Sequence, residues 1–269
     1  MATFLDAKNG KVHYLKFGRG TQILIAFHGF ADNAEMLSPF GKYLGEDYTI
    51  FAIDLPFHGK TIWSKNEYAP SDIQEIITSI LIKSGCLSYD LLGFSLGGTI
   101  ILSTLPLLEV PPERVLLLAP GGVKVRGMSS VFPMPLVGRK FFYKVIQRPG
   151  WLISSTSFLT KLGVLHSFFI RYFKAHLREP EKRNRLFFTW YALASFPVNI
   201  QRVIDFVQKK QIRVLILLGK RDKVIDEGAI QRVFNGKTGF ELLRLDSSHQ
   251  MLSDRVAKVL FEKLTAKGE

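Results

Sequence analysis

The chain has 269 residues, of which 47% are hydrophobic and 22% are charged, and this balance excludes an intrinsically disordered protein. Its length suits one large α/β domain, or one such domain that carries an insertion. The formal net charge is +13, and residues 121–211 carry all of it, because they hold 16 Lys and Arg against 3 Asp and Glu.

Targeting and redox features are few. No stretch of 18 apolar residues is present, so we expect no membrane-spanning helix. The first residues lack the basic and apolar regions of a signal peptide. The single cysteine, Cys86, excludes an internal disulfide. These observations favour a cytoplasmic protein, and the positive charge leaves open a peripheral association with a membrane.

Short apolar runs alternate with helical patterns along the chain. Runs of this kind are typical of parallel strands that helices cover on both faces. The predicted strands are 11–17, 22–27, 48–53, 89–92, 114–118, 212–218 and 240–245. The predicted helices outside residues 121–211 are 33–44, 71–83, 100–108 and 252–264.

Five reactive side chains directly follow predicted strands. They are His28, Asp54, Ser95, Asp222 and His249. Because the carboxyl ends of parallel strands meet at one edge of a sheet, where ligands bind, we expect all five at that edge. Ser95 also lies in a G-x-S-x-G pattern between a predicted strand and a predicted helix, which is the pattern of a nucleophile elbow.

The chain resembles the α/β-hydrolase superfamily, specifically its cap-bearing esterase, lipase and C–C hydrolase branch. The resemblance covers residues 10–120 and 212–265, and Phe57 departs from it, since the family usually has glycine there. The segments that carry it are His28-Gly29-Phe30, Asp54-Leu55-Pro56-Phe57-His58-Gly59-Lys60-Thr61, Gly93-Phe94-Ser95-Leu96-Gly97, Gly219-Lys220-Arg221-Asp222 and Ser248-His249.

This resemblance implies an α/β-hydrolase fold. The expected architecture is a mostly parallel eight-stranded sheet flanked by helices, with a helical cap inserted after the sixth strand. Residues 1–120 and 212–269 would form the core domain. Residues 121–211, which are basic and rich in aromatic residues, would form the cap, or lid.

The order Ser, Asp, His suits a catalytic triad of this fold. A serine hydroxyl needs a base to act as a nucleophile, and His249 is the candidate base for Ser95. Asp222 would orient the imidazole, with Asp226 and Asp246 as rival acids. The backbone N–H groups of Phe30 and Leu96 would form the oxyanion hole. For His28 and His58 we expect structural hydrogen bonds within their turns.

The predicted cap leaves the choice of partner open. Its basic residues are interpreted as a solvated face, a surface for an anionic membrane, or a site for an acidic carrier protein or an anionic substrate. Nucleic acid is disfavoured, because no recognised reading element is present. The candidates for lining a substrate pocket are His28, Phe94, Phe141, Phe169 and Trp190.

The sequence thus predicts a serine esterase that cleaves a carboxylic ester with an apolar acyl group. Thioesters, C–C bonds, lactones, amides and carrier-linked methyl esters remain alternatives, because the same triad serves them all. A non-catalytic ligand-binding or receptor protein with the same fold is the alternative of another class. No metal-ligand spacing and no phosphate-binding loop is present, so we expect neither a metal nor a cofactor.

Overall fold

The fold is known from a computed structural model that describes residues 3–123, 179–193 and 195–265. One sheet of nine strands organises these residues. The strands are β1 (Thr3–Ala7), β2 (Gly10–Phe17), β3 (Gln22–Phe27), β4 (Tyr48–Ile53), β5 (Ile62–Trp63), β6 (Tyr89–Phe94), β7 (Arg114–Leu118), β8 (Arg213–Gly219) and β9 (Phe240–Leu245).

Eight strands follow one path through the sheet, in the order β1-β2-β4-β3-β6-β7-β8-β9, and the two-residue β5 pairs with β2. The pairs from β4 to β9 along this path are parallel, whereas β2 pairs antiparallel with β1, β4 and β5. The predicted mostly parallel sheet is therefore confirmed, and the short β5 is a ninth strand beyond the eight that were expected.

Helices flank the sheet in two packed groups. The first α-helix packs on the last one, while the second packs on the third and the third on the fifth. The α-helices are α1 (Ser38–Leu44), α2 (Pro70–Ser84), α3 (Leu96–Thr104), α4 (Pro180–Leu193), α5 (Ile200–Lys210), α6 (Glu227–Phe234) and α7 (Asp254–Thr265). None of the described helices is long and apolar enough to cross a bilayer.

Burial explains why the central strands were readable in the sequence. Every residue of β4 and β6 is buried, and so are five of the six residues of β3. Strands that are covered on both faces need continuous apolar runs. Only Leu5 of the edge strand β1 is buried, and the sequence predicts neither β1 nor the short β5.

The predicted helix 33–44 is interrupted in the structure. Residues Ala34–Leu37 form a 3₁₀ turn, and α1 begins only at Ser38. Asn33 caps the turn, because its side chain accepts a hydrogen bond from the Glu35 N–H. Pro39 then occupies the first turn of α1, a position that tolerates its missing N–H.

The last helix of the segment 121–211 packs into the main body. Val203, Ile204 and Val207 of α5 are buried and belong to the same hydrophobic core as the sheet. Helical patterns within this segment predict helices over 137–147, 158–177 and 182–196. The first two lie outside the described residues, and the third corresponds to α4, which spans Pro180–Leu193. The division of the chain into core and cap stays a prediction.

Cys86 lies in the connection between α2 and β6, at the amino-terminal end of the parallel strands. It is half-buried, and its thiol donates a hydrogen bond to the Ser88 carbonyl at 3.1 Å. Ser95 follows the opposite end of β6. The thiol and the candidate nucleophile therefore lie at opposite edges of the sheet.

Candidate active site

Ser95 occupies a sharp turn between β6 and α3. Its backbone has φ 50° and ψ −104°, a conformation that costs a residue with a Cβ of order 1–3 kcal/mol. Glycines make the turn sterically feasible: a Cβ at Gly93 would lie 2.7 Å from the Gly97 carbonyl, and one at Gly97 would lie 2.3 Å from the Phe27 oxygen. The strained turn presents Ser95 at the carboxyl edge of the sheet.

A chain of hydrogen bonds runs from Ser95 through His249 to Asp222. Ser95 Oγ lies 3.0 Å from His249 Nε2, and His249 Nδ1 lies 2.8 Å from Asp222 Oδ2. Because an ionised carboxylate only accepts hydrogen bonds, Nδ1 carries the imidazole proton, which leaves Nε2 to accept from the serine hydroxyl. This arrangement can take the hydroxyl proton as the serine attacks an electrophile.

The Asp222 carboxylate is held in its ionised form. Burial raises the pKa of this group, but the hydrogen bond and the charge of His249, together with the N–H groups of Ile225 and Val224, outweigh burial and lower it below its usual range. The second oxygen accepts from these N–H groups at 3.0 and 2.7 Å. The side chain is only 3% exposed, so its orientation is fixed by these partners.

The two rival carboxylates have other partners. Asp226 caps α6, since its side chain accepts from the Ala229 N–H at 3.0 Å. Asp246 forms an exposed ion pair with Arg221 at 3.0 Å. Of the three candidate acids, the structure brings only Asp222 into contact with His249.

The turn after β3 is joined to the elbow through backbone atoms. The Gly97 N–H donates to the His28 carbonyl at 3.1 Å. Leu96 directly precedes Gly97 at the start of α3, where backbone N–H groups have no partner within the helix. Phe30 follows His28 by two residues. The two N–H groups predicted for the oxyanion hole therefore belong to segments that a hydrogen bond holds together.

His28 and His58 are buried behind this turn, so His28, a candidate for lining the substrate pocket, has no exposed surface in the structure. His28 Nε2 accepts from the Leu55 N–H at 3.2 Å, and His58 Nε2 accepts from the Ala31 N–H at 3.3 Å. Burial lowers the pKa of His28 to about 4 and that of His58 well below its usual value, and the positive charge of Arg185 lowers both further. Both imidazoles are therefore neutral structural groups at pH 7.

Asp54 has a structural role that the sequence did not reveal. Its buried carboxylate accepts from the Ala34 and Lys60 N–H groups at 2.7 and 2.8 Å and lies 2.7 Å from His13 Nδ1. Nothing in the sequence marks His13, since it reaches Asp54 only through the antiparallel pairing of β2 with β4. The sequence feature that could have revealed this role is the turn-forming stretch 54–61, which begins with the acidic Asp54.

The aromatic candidates for a pocket fall into two groups. Phe94 is buried, and its ring centroid lies 5.2 Å from that of His249. Phe141 and Phe169 lie outside the described residues, as does the side chain of Trp190 on α4. Helix α4 does reach this edge, because Phe188 stacks on Phe57 with 5.2 Å between ring centroids.

Comparisons with known proteins support one family. A sequence model of the Alpha/beta hydrolase family matches residues 23–260. The chain is 30% identical over 156 residues to the uncharacterized hydrolase YugF of Bacillus subtilis (strain 168), which covers 57% of this chain and 55% of YugF. It is 25% identical over 147 residues to a 2-hydroxy-6-oxononadienedioate/2-hydroxy-6-oxononatrienedioate hydrolase of Pseudomonas sp, which covers 53% of this chain and 50% of that protein.

The chain thus spans about half the length of these two relatives. In three dimensions it is similar over nearly its whole length to an esterase from Exiguobacterium antarcticum. The TM-score is 0.66 at 20% identity, and the match covers 99% of this chain and 98% of the esterase. At this identity the likeness shows the fold alone. Among the residues that the structure describes, no cluster of side chains could hold a metal ion.

Proposed function

Because the chain belongs to the alpha/beta hydrolase family, whose members include hydrolytic enzymes, we propose that it is a serine hydrolase that cleaves a carboxylic ester with an apolar acyl group. The observation that carries the proposal is the hydrogen-bonded chain from Ser95 through His249 to Asp222. Neutral His28 and His58 support the turn beside it without competing for the proton.

Each residue has one role in the proposed reaction. Ser95 Oγ attacks the ester carbonyl carbon while His249 Nε2 takes its proton, and Asp222 stabilises the imidazolium. The N–H groups of Phe30 and Leu96 bind the oxyanion of the tetrahedral intermediate. His249 then protonates the leaving alcohol, and an acyl-enzyme forms at Ser95. Water, deprotonated by His249, attacks the acyl carbon and releases the acid.

The proposal predicts that the wild-type protein reacts covalently with a fluorophosphonate probe at Ser95, because an activated serine hydroxyl attacks phosphorus. It should also hydrolyse p-nitrophenyl esters, with kcat/KM rising along an acetate, butyrate and octanoate series. Intact-protein mass spectrometry and a colorimetric assay measure the two effects. A folded wild-type protein that stays unlabelled would favour the non-catalytic binder, and turnover of thioesters alone would favour a thioesterase.

A second proposal, alternative to a wholly apolar acyl group, concerns the charge of the substrate. Arg185 of α4 lies close enough to the catalytic edge for its charge to lower the pKa of both His28 and His58. Thr189 lies one turn further along the same helix face, is fully buried, and has a hydroxyl without a hydrogen-bond partner in the described part of the chain. The Arg185 cation at this edge favours a substrate that carries a carboxylate, whereas the buried Thr189 hydroxyl is closed off from a ligand.

Two further observations agree with an anionic partner. Residues 121–211 hold 16 basic against 3 acidic residues, and we propose that they form a lid over the catalytic edge. The dioate named for the Pseudomonas relative carries two carboxylates. An acidic carrier protein bearing the acyl group, or an anionic membrane from which a lipid ester is taken, would meet the same charge.

Paired esters test the charge of the substrate. We expect wild-type protein to prefer p-nitrophenyl hemiglutarate over the methyl ester of the same compound. Arg185→Gln should lower kcat/KM for the hemiglutarate by about 10- to 100-fold, the value of a hydrogen bond to a charged group, and spare the methyl ester. Lys182→Gln is the matched control, since Lys182 pairs with Glu179. Equal losses on both esters would contradict this proposal.

A further inference from the structure

The residues Gly29 to Asp32 form a tight turn whose geometry sets the direction of the Phe30 N–H. The Asp32 N–H donates to the Gly29 carbonyl at 3.3 Å, and Ala31 has φ 62°. A positive φ at the third residue is what a type II turn requires. Alanine adopts it here while its N–H donates to His58 Nε2 at 3.3 Å. The Asp32 N–H therefore closes the turn, and His58 stabilises it by accepting a hydrogen bond from the Ala31 N–H.

The peptide between Gly29 and Phe30 is held by its oxygen. The Gly29 carbonyl accepts from both His28 Nδ1, at 2.7 Å, and the Asp32 N–H. In a trans peptide the N–H points away from the carbonyl oxygen of the same plane. Fixing the Gly29 oxygen therefore fixes the Phe30 N–H in the opposite direction, and this N–H is the proposed oxyanion donor.

Asp32 also holds the other side of Gly29. Its carboxylate lies against Gly29, whose N–H lowers the pKa of the carboxyl. The contact is close, because a Cβ at Gly29 would lie 2.7 Å from Asp32 Oδ2 and 2.7 Å from the Phe94 ring. Gly29 is thus wedged between the Asp32 carboxylate and an aromatic ring that contacts His249.

We propose that Asp32 is a positioning residue that aligns the Phe30 N–H for oxyanion binding by holding both backbone groups of Gly29. This inference rests on the proposed serine hydrolase function. Asp32 does not itself touch the reacting atoms. It acts through the Gly29–Phe30 peptide. Its carboxylate also places a negative charge near the His249 imidazole.

The surroundings of Asp32 make it sensitive to pH. Burial raises the pKa of this carboxyl to about 6, against the opposing effects of the Gly29 N–H and the charge of His249. Besides His249, the described titratable and charged groups near the turn include His28 and His58, both neutral because of burial, the Asp54 carboxylate that accepts from the Ala34 N–H, and Arg185, whose charge acts on both imidazoles. Protonation of Asp32 removes the negative charge that attracts the Gly29 N–H.

The test compares Asp32→Ala and Asp32→Asn with Glu35→Ala, a matched loss of an exposed acid three residues later. We expect Asp32→Ala to lower kcat for p-nitrophenyl butyrate by about 10- to 100-fold, less than the loss of a whole oxyanion donor, with little change in KM. Phenylboronic acid, which forms a tetrahedral adduct with serine, should lose affinity by a similar factor. Asp32→Asn keeps an acceptor for Gly29 and should retain most of kcat at pH 8.

The pH dependence separates positioning from a general loss of stability. Near pH 6 the acid limb of kcat/KM should involve one more proton in wild type than in Asp32→Asn. Because the folded state binds this proton more tightly, the ionised carboxyl destabilises the fold at neutral pH. Asp32→Asn should therefore raise Tm by about 2–4 °C at pH 7.5, and the gain should vanish as pH falls below the ordinary pKa of Asp, about 4.

Several outcomes would overturn the inference. An active wild type whose kcat is unchanged in Asp32→Ala overturns it and leaves the proposed function intact. So does a loss of kcat matched by a lower Tm in both Asp32 variants, with the acid limb unchanged in Asp32→Asn. If Asp32→Ala does not fold, the acid limb of Asp32→Asn decides. A wild type that neither reacts with fluorophosphonate nor hydrolyses any ester overturns the proposed function and this inference together.

Discussion

Replacing Ser95 by alanine is expected to lower kcat for ester hydrolysis by at least about 10⁴-fold, because the proposed acyl-enzyme forms at this hydroxyl. The effect should be confined to chemistry. Ser95 Oγ contacts His249 Nε2 at 3.0 Å, whereas the backbone of Ser95 is held independently through Leu118 and Gly121. Steady-state kinetics with p-nitrophenyl butyrate and circular dichroism would measure activity and fold on the same samples.

The matched control is Ser38→Ala, which removes an exposed hydroxyl at the start of α1. This variant should keep wild-type kcat and KM. Fluorophosphonate labelling should persist in Ser38→Ala and disappear in Ser95→Ala. If Ser95→Ala kept more than a few per cent of the wild-type rate, another nucleophile would have to be sought.

The second large effect is expected when Asp222, Asp226 and Asp246 are each replaced by asparagine. Asp222→Asn is expected to lower kcat by about 10⁴-fold, because an asparagine leaves the imidazole of His249 in the wrong tautomer. Asp246→Asn should leave kcat within about twofold of wild type, since an exposed ion pair contributes little. Asp226→Asn should do likewise, because asparagine caps a helix as well as aspartate does.

The three variants share one chemical change, the loss of a carboxylate charge, so differences between them report position. Circular dichroism would first confirm that each sample contains the same fraction of folded protein. A large loss in Asp246→Asn with a small loss in Asp222→Asn would assign the acid role to Asp246 and contradict the proposed triad. Losses shared equally by all three variants would point to the net charge instead.

The sequence was most informative where residues are buried on both sides. The continuous apolar runs of β3, β4 and β6 could be located to within two residues, because such strands leave no face for polar side chains. Strand β1 could not be located, since only Leu5 of its five residues is buried. The two residues of β5 are too few to show any period.

The active-site residues likewise divide into those that the sequence predicts and those that it does not. Ser95, Asp222 and His249 each follow a predictable strand, so their convergence could be foreseen from the chain order alone. The contact between Asp32 and Gly29 could not, because it depends on a positive φ at Ala31, a residue type that rarely adopts one. The pairing of His13 with Asp54 likewise depends on a strand register that periodicity does not reveal.

Residues 121–211 show what amino-acid composition alone does not predict. Their positive charge was evident from the sequence, but the charge alone did not distinguish a solvated face from a binding face. Helical spacing places Arg185, Phe188 and Thr189 on one side of α4, and the stacking of Phe188 on Phe57 shows which way that side faces. This packing, together with the effect of the Arg185 charge on the pKa of His28 and His58, is the basis on which Arg185 is proposed to bind substrate.

The position of Cys86 has a practical consequence. The chain contains one cysteine, and the six residues of β6 separate its edge of the sheet from that of Ser95 by about 20 Å. A surface that captures the protein through this thiol would hold every molecule in one orientation, with the candidate catalytic edge turned toward the bulk solution. A fluorophore on Cys86 and an inhibitor on Ser95 would mark two defined positions between which a distance across the sheet could be measured.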